Sequence, residues 1–346
     1  MNNSELTSYL CEDAQKINKR INLSSFNGAN ILITGCSGLI GQYLIAVLSN
    51  AITQGIVLNA LYLSCKNEPP EYLQQIAGKL NVRYIYGDIG LSETVNQIPE
   101  DMDFIFHAAG YGQPQKFLVD EVSTILLNTV ATNNLLKKVR PGGKFLFLST
   151  SEVYSGSKDV PYLESSIGNT NTNHPRACYI EGKRCGEAIV SAYRKKGLDA
   201  KSIRLALAYG PGVRIDDRRV LNEVIKKGLS GNGIELLDSG TSSRTYIYIT
   251  DAVELILGVM LFGKEDIYNV TGFSKTTIAD MANLVANKLN TTLRLPLNSG
   301  NGLMGAPEEV SLSLAMTLSA YPKSVKDFIS FDDGLSRVID WYRQLL

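Results

Sequence analysis

The chain has 346 residues, 44% hydrophobic and 20% charged, with 34 Lys+Arg against 34 Asp+Glu and a formal net charge of zero. That composition suits one large globular domain or two closely joined lobes, and it lacks the basic surface that a nucleic-acid or polybasic membrane partner requires. Five cysteines without a C-x-x-C pair and only two histidines, His107 and His174, offer no metal-ligand set. We therefore expect no metal, reduced thiols, a cytoplasmic location, and a catalytic base that is Tyr, Lys, Glu or Asp.

Glu5, Glu12 and Asp13 interrupt any apolar leader, while Leu6, Tyr9, Leu10, Ile17 and Ile21 recur at helical spacing. Residues 1–29 should thus supply an amphipathic helix packed on the body. From Asn30 short apolar runs alternate with helical patterns. "ILIT" (31–34), "LNALYL" (58–63), "VRYIYGD" (82–88), "DFIFHAAG" (103–110), "KFLFLST" (144–150) and "AKSIRLALA" (200–208) read as six strands. The fourth is followed by a helix with Val122, Leu126, Leu127, Val130 and Leu135 near one face. Continuous apolar strands separated by helices imply an α/β fold, a doubly wound, Rossmann-like parallel sheet covered on both faces. After Gly210 the texture becomes loop-rich. "GIELLDSGTSSRTYIYITD" reads as a strand, a turn and a strand, and "FDDGLSRVIDWYRQLL" as an amphipathic helix with an acidic start. We expect a dinucleotide-binding domain over 30–209, rejoined by 246–271, and a smaller substrate lobe from 210–245 and 272–346. No stretch is apolar enough to span a bilayer.

"ILITGCSGLIG" places Gly35, Gly38 and Gly41 between a strand and a helix. Glycines there let a pyrophosphate approach backbone N–H groups, and the helix N-terminus at Leu39 and Ile40 adds partial positive charge. The second strand ends "LYLSCKN", with Ser64 where an acid selecting NAD(H) is expected and Lys66 close behind. That favours NADP(H) over NAD(H). Asp88 and Ile89 follow the third strand; Asp88 either meets the adenine or caps its own loop. Ala108 and Ala109 of "HAAG" give small residues beside the cofactor, and His107 should pack.

The fifth strand ends "STSEVY", aiming Thr150, Ser151 and Glu152 at the carboxyl edge of the sheet, where ligands of this architecture bind. Downstream, "HPRACYIEGKRC" carries Tyr179 and Lys183 one helical turn apart. A Tyr beside a Lys ammonium is a proton-transfer pair: the cation favours the phenolate, and Thr150 can orient the reacting hydroxyl.

"TGCSGLIG", "HAAG", Asn128, "STSEVY", "YIEGK" and "YGPG" occur in order between Asn30 and Asp251. Together they resemble the extended short-chain dehydrogenase/reductases, in their NAD-dependent epimerase/dehydratase branch. The resemblance implies a homodimer built on the helix near Asn128 and the helix bearing Tyr179. It also implies an enzyme that modifies a nucleotide-diphosphate sugar through a 4-keto intermediate, for surface polysaccharide precursors. It makes Thr150, Tyr179 and Lys183 catalytic, with Asn128 supporting Lys183. "STSEVY" and "PRACYIEGKR" look most like UDP-glucuronate decarboxylases, which would put Glu152 and Arg244 around the sugar, joined by Ser151, Arg214 and Arg219 as substrate-binding candidates. "YGPGV" lacks the Arg expected there in a decarboxylase. A 4-epimerase, an NADPH-dependent 4-ketoreductase and a non-enzymatic NADP sensor stay open.

Overall fold

The computed structural model describes residues 3–296 and 308–346. Six strands open the fold: β1 (Asn30–Thr34), β2 (Ala60–Cys65), β3 (Val82–Tyr86), β4 (Met102–His107), β5 (Val139–Thr150) and β6 (Asp199–Leu205). The chain then lays down β7 (Leu207–Tyr209), β8 (Ile234–Glu235) and β9 (Ser243–Tyr248), returns with β10 (Ile267–Val270), and adds β11 (Ser274–Thr277), β12 (Leu293–Arg294) and β13 (Glu309–Val310). The large sheet has seven strands in the order β10-β6-β5-β4-β1-β2-β3, every pairing parallel. It is doubly wound, and its order reverses between β1 and β4, which opens a crevice at their carboxyl ends. β1 and β2 are almost wholly buried, which explains their unbroken apolar runs.

The smaller lobe is centred on β9, which pairs with β7, β11 and β13. The run read as one sixth strand divides at Ala206: β6 belongs to the large sheet and β7 to the small one, so this segment carries the chain from one lobe to the other. The two strands read within 233–251 both form, as β8 and β9. β8 pairs with β12, not with β9. The helix Ile249–Phe262 is buried along nearly its whole length, and β10 restores the chain to the large sheet.

The amphipathic N-terminal helix forms over Asn3–Asn18, with Leu6, Leu10, Ala14 and Ile17 buried. Its Asp13 is buried too. One carboxylate oxygen accepts from Tyr43 at 3.0 Å and Tyr248 at 3.2 Å; the other accepts from Arg337 at 2.9 Å and Lys16 at 3.1 Å. Arg337 lies on the helix Phe331–Leu345, capped by Ser330, whose hydroxyl accepts from the Asp333 N–H. The helix after β4 is broken at Thr129 into Glu121–Asn128 and Val130–Leu136. Its apolar residues fall into two stripes, not one face. Leu127 and Leu135 are buried, whereas Val122, Leu126 and Val130, at i, i+4 and i+8, are exposed. Among the described residues no helix is long and apolar enough to cross a membrane.

Candidate active site

The glycine loop leaves β1 at the crevice. Gly35 has φ of +69°, and a Cβ there would lie 2.8 Å from the backbone of Ala109. A Cβ on Gly41 would meet the Gly35 carbonyl at 2.5 Å, so only glycine allows the helix Leu39–Ala51 to start against this turn. Gly38 is its N-cap and makes no side-chain cap. The first N–H groups, at Leu39, Ile40 and Gly41, have no partner within the helix, which leaves them able to receive an anion. Across the crevice, Thr34 Oγ1 accepts from the Ala109 N–H at 3.1 Å and lies 2.8 Å from His107 Nδ1. Burial pulls His107 down to about 3. It is a neutral packing residue that fixes the Ala108–Ala109 turn. These features fit a dinucleotide.

At the adenosine end, Ser64 is buried, and its carbonyl accepts from the N–H groups of Gly35 at 3.2 Å and Cys36 at 3.4 Å. Lys66 donates to Asp88 at 2.9 Å, a contact that raises its pKa. The other Asp88 oxygen accepts from the Gly90 N–H at 2.9 Å. Asp88 thus caps its loop and also engages the one cation that pointed to a 2′-phosphate. Ile89 is buried beside it.

Thr150 ends β5, and its hydroxyl accepts from the Glu152 N–H at 3.2 Å. Tyr179 and Lys183 lie on the helix Ala177–Lys195, both buried. The Phe117 ring stacks on Tyr179, with centroids 4.7 Å apart and planes 3° from parallel. Burial pushes Tyr179 up to about 12, and Glu152 adds to the rise; a hydrogen bond with Thr150 and the guanidinium groups of Arg176 and Arg219 oppose it. Burial brings Lys183 down to about 7, against the pull of Glu187. Lys183 Nζ donates to the Leu148 carbonyl at 2.6 Å and sits 6.0 Å from the Tyr179 ring centroid. Arg176 and Arg219 thus lower the phenol's pKa, and the Lys183 ammonium lies over its ring. Asn128 is fully buried; its Nδ2 donates to the Thr124 carbonyl, and its Oδ1 has no partner among the described residues.

Glu152 is gripped by Arg176 through both carboxylate oxygens, with Nε at 2.8 Å from one. Arg176 also lies over the Phe117 ring, 5.3 Å from its centroid. Sequence reasoning assigned Arg176 no role, although it stands just ahead of the helix that carries Tyr179. Arg244, on β9, is electrostatically coupled to both Arg176 and Glu152, and burial lowers its pKa. Its guanidinium donates to the carbonyls of Ser243 and Glu308, and no carboxylate pairs with it among the described residues. Arg219 is bound by Asp217 and faces Tyr179 and Tyr246. Ser151 sits beside Thr150 in the turn Ser151–Tyr154. Arg214 stands apart: it pairs with Asp216 and acts on Tyr72, not on Tyr179. Thr150, Glu152, Tyr179, Lys183, Arg219 and Arg244 thus converge, and Arg214 does not.

The sequence profile of the NAD-dependent epimerase/dehydratase family matches residues 31–271. The chain belongs to this family. UDP-glucuronic acid decarboxylase 3 of Arabidopsis thaliana is 29% identical over 270 residues, which are 77% of this chain and 76% of that protein. Among solved structures, DesIV, a dTDP-glucose 4,6-dehydratase from Streptomyces venezuelae with NAD and TYD bound, superposes with a TM-score of 0.77 at 22% identity, over 91% of this chain and 97% of that one. MoeE5 in complex with UDP-glucuronic acid and NAD gives a TM-score of 0.73 at 19% identity, over 92% and 100% of the two chains. These two share the fold. As a member of the NAD-dependent epimerase/dehydratase family, the chain has enzymes as its relatives, UDP-glucuronic acid decarboxylases among them.

Proposed function

We propose that this protein decarboxylates UDP-glucuronate through a 4-keto intermediate. The observation that carries the proposal is the cluster of Glu152, Arg176 and Arg244 beside Tyr179 and Thr150. A half-buried guanidinium with no carboxylate partner among the described residues is matched to an anionic sugar or diphosphate, which it can bind by two parallel hydrogen bonds. The decarboxylase relatives point the same way.

Thr150 orients the C4 hydroxyl and Tyr179 takes its proton as the carbon is oxidised. The bound dinucleotide supplies the hydride acceptor and later the hydride donor. A C4 ketone turns the C5 carboxylate into a β-keto acid. The C–C bond breaks, CO2 leaves, its electron pair passes onto the ketone, and C5 then takes up a proton. Reduction at C4 returns the Tyr179 proton to the sugar oxygen. For the cofactor we take NAD(H), not the NADP(H) that the end of β2 suggested, because Asp88 occupies Lys66 and would repel a 2′-phosphate. Tighter binding of NADP+ than of NAD+ would reverse that choice.

The homodimer is part of the same proposal. Leu118, Val119, Val122, Ile125, Leu126 and Val130 form an exposed apolar strip beside the Tyr179 helix, with Val119 85% and Val122 67% exposed. A second copy of the chain would cover it.

The deciding experiment offers the purified protein UDP-glucuronate and, separately, a 4-keto-6-deoxy sugar nucleotide with NADPH. CO2 release from the first supports the proposal. Loss of NADPH absorbance with the second, and no CO2 from the first, would replace it with ketoreduction. Isomer formation without either signal would replace it with epimerisation.

A further inference from the structure

Cys36 and Cys65 meet beside the glycine loop. Their sulfurs are 2.8 Å apart, one thiol hydrogen-bonded to the other, and both side chains are buried. The sheet brings them together. Thr34 on β1 stands opposite Ser64 on β2, and the next residues, Gly35 and Cys36, direct their N–H groups at the Ser64 carbonyl. Cys65 is then the following residue of β2. The other three cysteines are not paired: Cys11 is half-buried, Cys178 contacts the Phe117 carbonyl at 3.6 Å, and Cys185 is exposed.

We infer that Cys36 and Cys65 form a reversible dithiol–disulfide modification site that controls how the glycine loop holds the dinucleotide. A disulfide has a sulfur–sulfur distance of about 2.05 Å, so closing the bond needs a shift of less than an ångström. That small shift matters at this position. Gly35, Cys36 and Gly41 are packed so closely that a single Cβ on Gly41 would meet the Gly35 carbonyl at 2.5 Å and the Cys36 Cα at 2.8 Å. Drawing Cys36 towards β2 must therefore move the start of the helix whose N–H groups face the pyrophosphate.

One sulfur opens the reaction and the other closes it, and we take Cys36 as the first. The hydrogen bond between the two sulfurs lowers the Cys36 pKa and raises that of Cys65, whose burial adds to the rise. The oxidant is hydrogen peroxide. The Cys36 thiolate attacks one peroxide oxygen, the O–O bond breaks, and a sulfenic acid and hydroxide result; the hydroxide takes the proton that the Cys36 thiol gave up and leaves as water. The Cys65 sulfur then attacks the Cys36 sulfur, the S–O bond breaks, and the departing hydroxide takes the Cys65 proton. One peroxide and two thiols give one disulfide and two waters, and an external dithiol reverses the change.

The inference rests on the dinucleotide lying over the glycine loop, and peptide mapping tests the bond independently of that placement. The full chain is treated with hydrogen peroxide, digested without reductant and analysed by mass spectrometry. NAD+ affinity is measured calorimetrically before treatment, after it, and after dithiothreitol. The expected result is a Cys36–Cys65 linked peptide with at least about a tenfold loss of NAD+ affinity, restored by reduction. Cys65→Ser should keep its own untreated affinity through the same exposure, whereas Cys185→Ser should behave as the wild type. Absence of the linked peptide overturns the inference. So does a linked peptide with unchanged affinity, or equal loss in Cys65→Ser.

Discussion

Arg176 holds both carboxylate oxygens of Glu152 and lies over the Phe117 ring, which stacks on Tyr179. The pair balances opposite charges next to one phenol: Glu152 raises the Tyr179 pKa and Arg176 lowers it. Arg176→Ala leaves the carboxylate uncompensated. We expect kcat at pH 8 to fall about tenfold, the size of a one-unit rise in the base's pKa, and the pH–rate profile to shift to higher pH. Glu152→Gln should shift it the other way. Parallel profiles in wild type and Arg176→Ala would show that the pair does not tune Tyr179.

Tyr179→Phe removes the proton acceptor and keeps the Phe117 stack. Turnover should drop by about 10²–10⁴-fold, with NAD+ affinity changed less than about threefold, measured by steady-state kinetics and calorimetry. Unchanged turnover would refute the assigned role.

Lys183 gives a pH signature. Its pKa is brought down to about 7 by burial from an ordinary 10.5, so between these values the unfolded chain holds a proton that the native one has lost. Stability then rises with pH in this window, by about 1.4 kcal/mol per unit, and the cost of the buried ammonium is fully present below pH 7. Relative to Lys183→Met, the cofactor-free wild type should gain about 2–3 kcal/mol in urea unfolding between pH 7 and 9. A constant difference would contradict it.

Asp13 is fully buried and accepts from two tyrosines, an arginine and a lysine. Asp13→Ala strands the partly buried Arg337, and we expect a loss of about 3 kcal/mol in denaturant unfolding. Surface pairs such as Arg343–Asp340 should cost under about 1 kcal/mol when broken.

Val122→Glu places a charge in the exposed apolar strip. Light scattering should show a dimer for the wild type and a monomer for this variant, with near-wild-type unfolding in circular dichroism. A monomeric wild type would remove the second copy from the proposal.

Much of this was legible in the chain because the signals were local. Six strands, the glycine turn and the Tyr179–Lys183 spacing depend on near neighbours. So does the helix around Asp13, although its apolar stripe gave no hint that an aspartate on it would be buried. What stayed hidden depended on distant partners. Lys66 looked free until Asp88, brought alongside by the β2–β3 pairing, supplied its counter-ion. Ala206 looked like the middle of one strand because a change of sheet leaves no break in hydrophobicity. Arg214 and Arg219 look alike in sequence, and only the fold sends one towards Asp216 and the other towards Tyr179.

The bond between Asp13 and Arg337 joins residues 324 positions apart. During synthesis Lys16 and Tyr43 can answer the Asp13 carboxylate early, but Arg337 reaches it only when nearly all of the later chain has left the ribosome. Loop closure over that span is entropically expensive, and contacts so remote in sequence form late. The glycine turn and the parallel strands beside it can assemble first. The clasp that seals the first helix against the last then comes at the end.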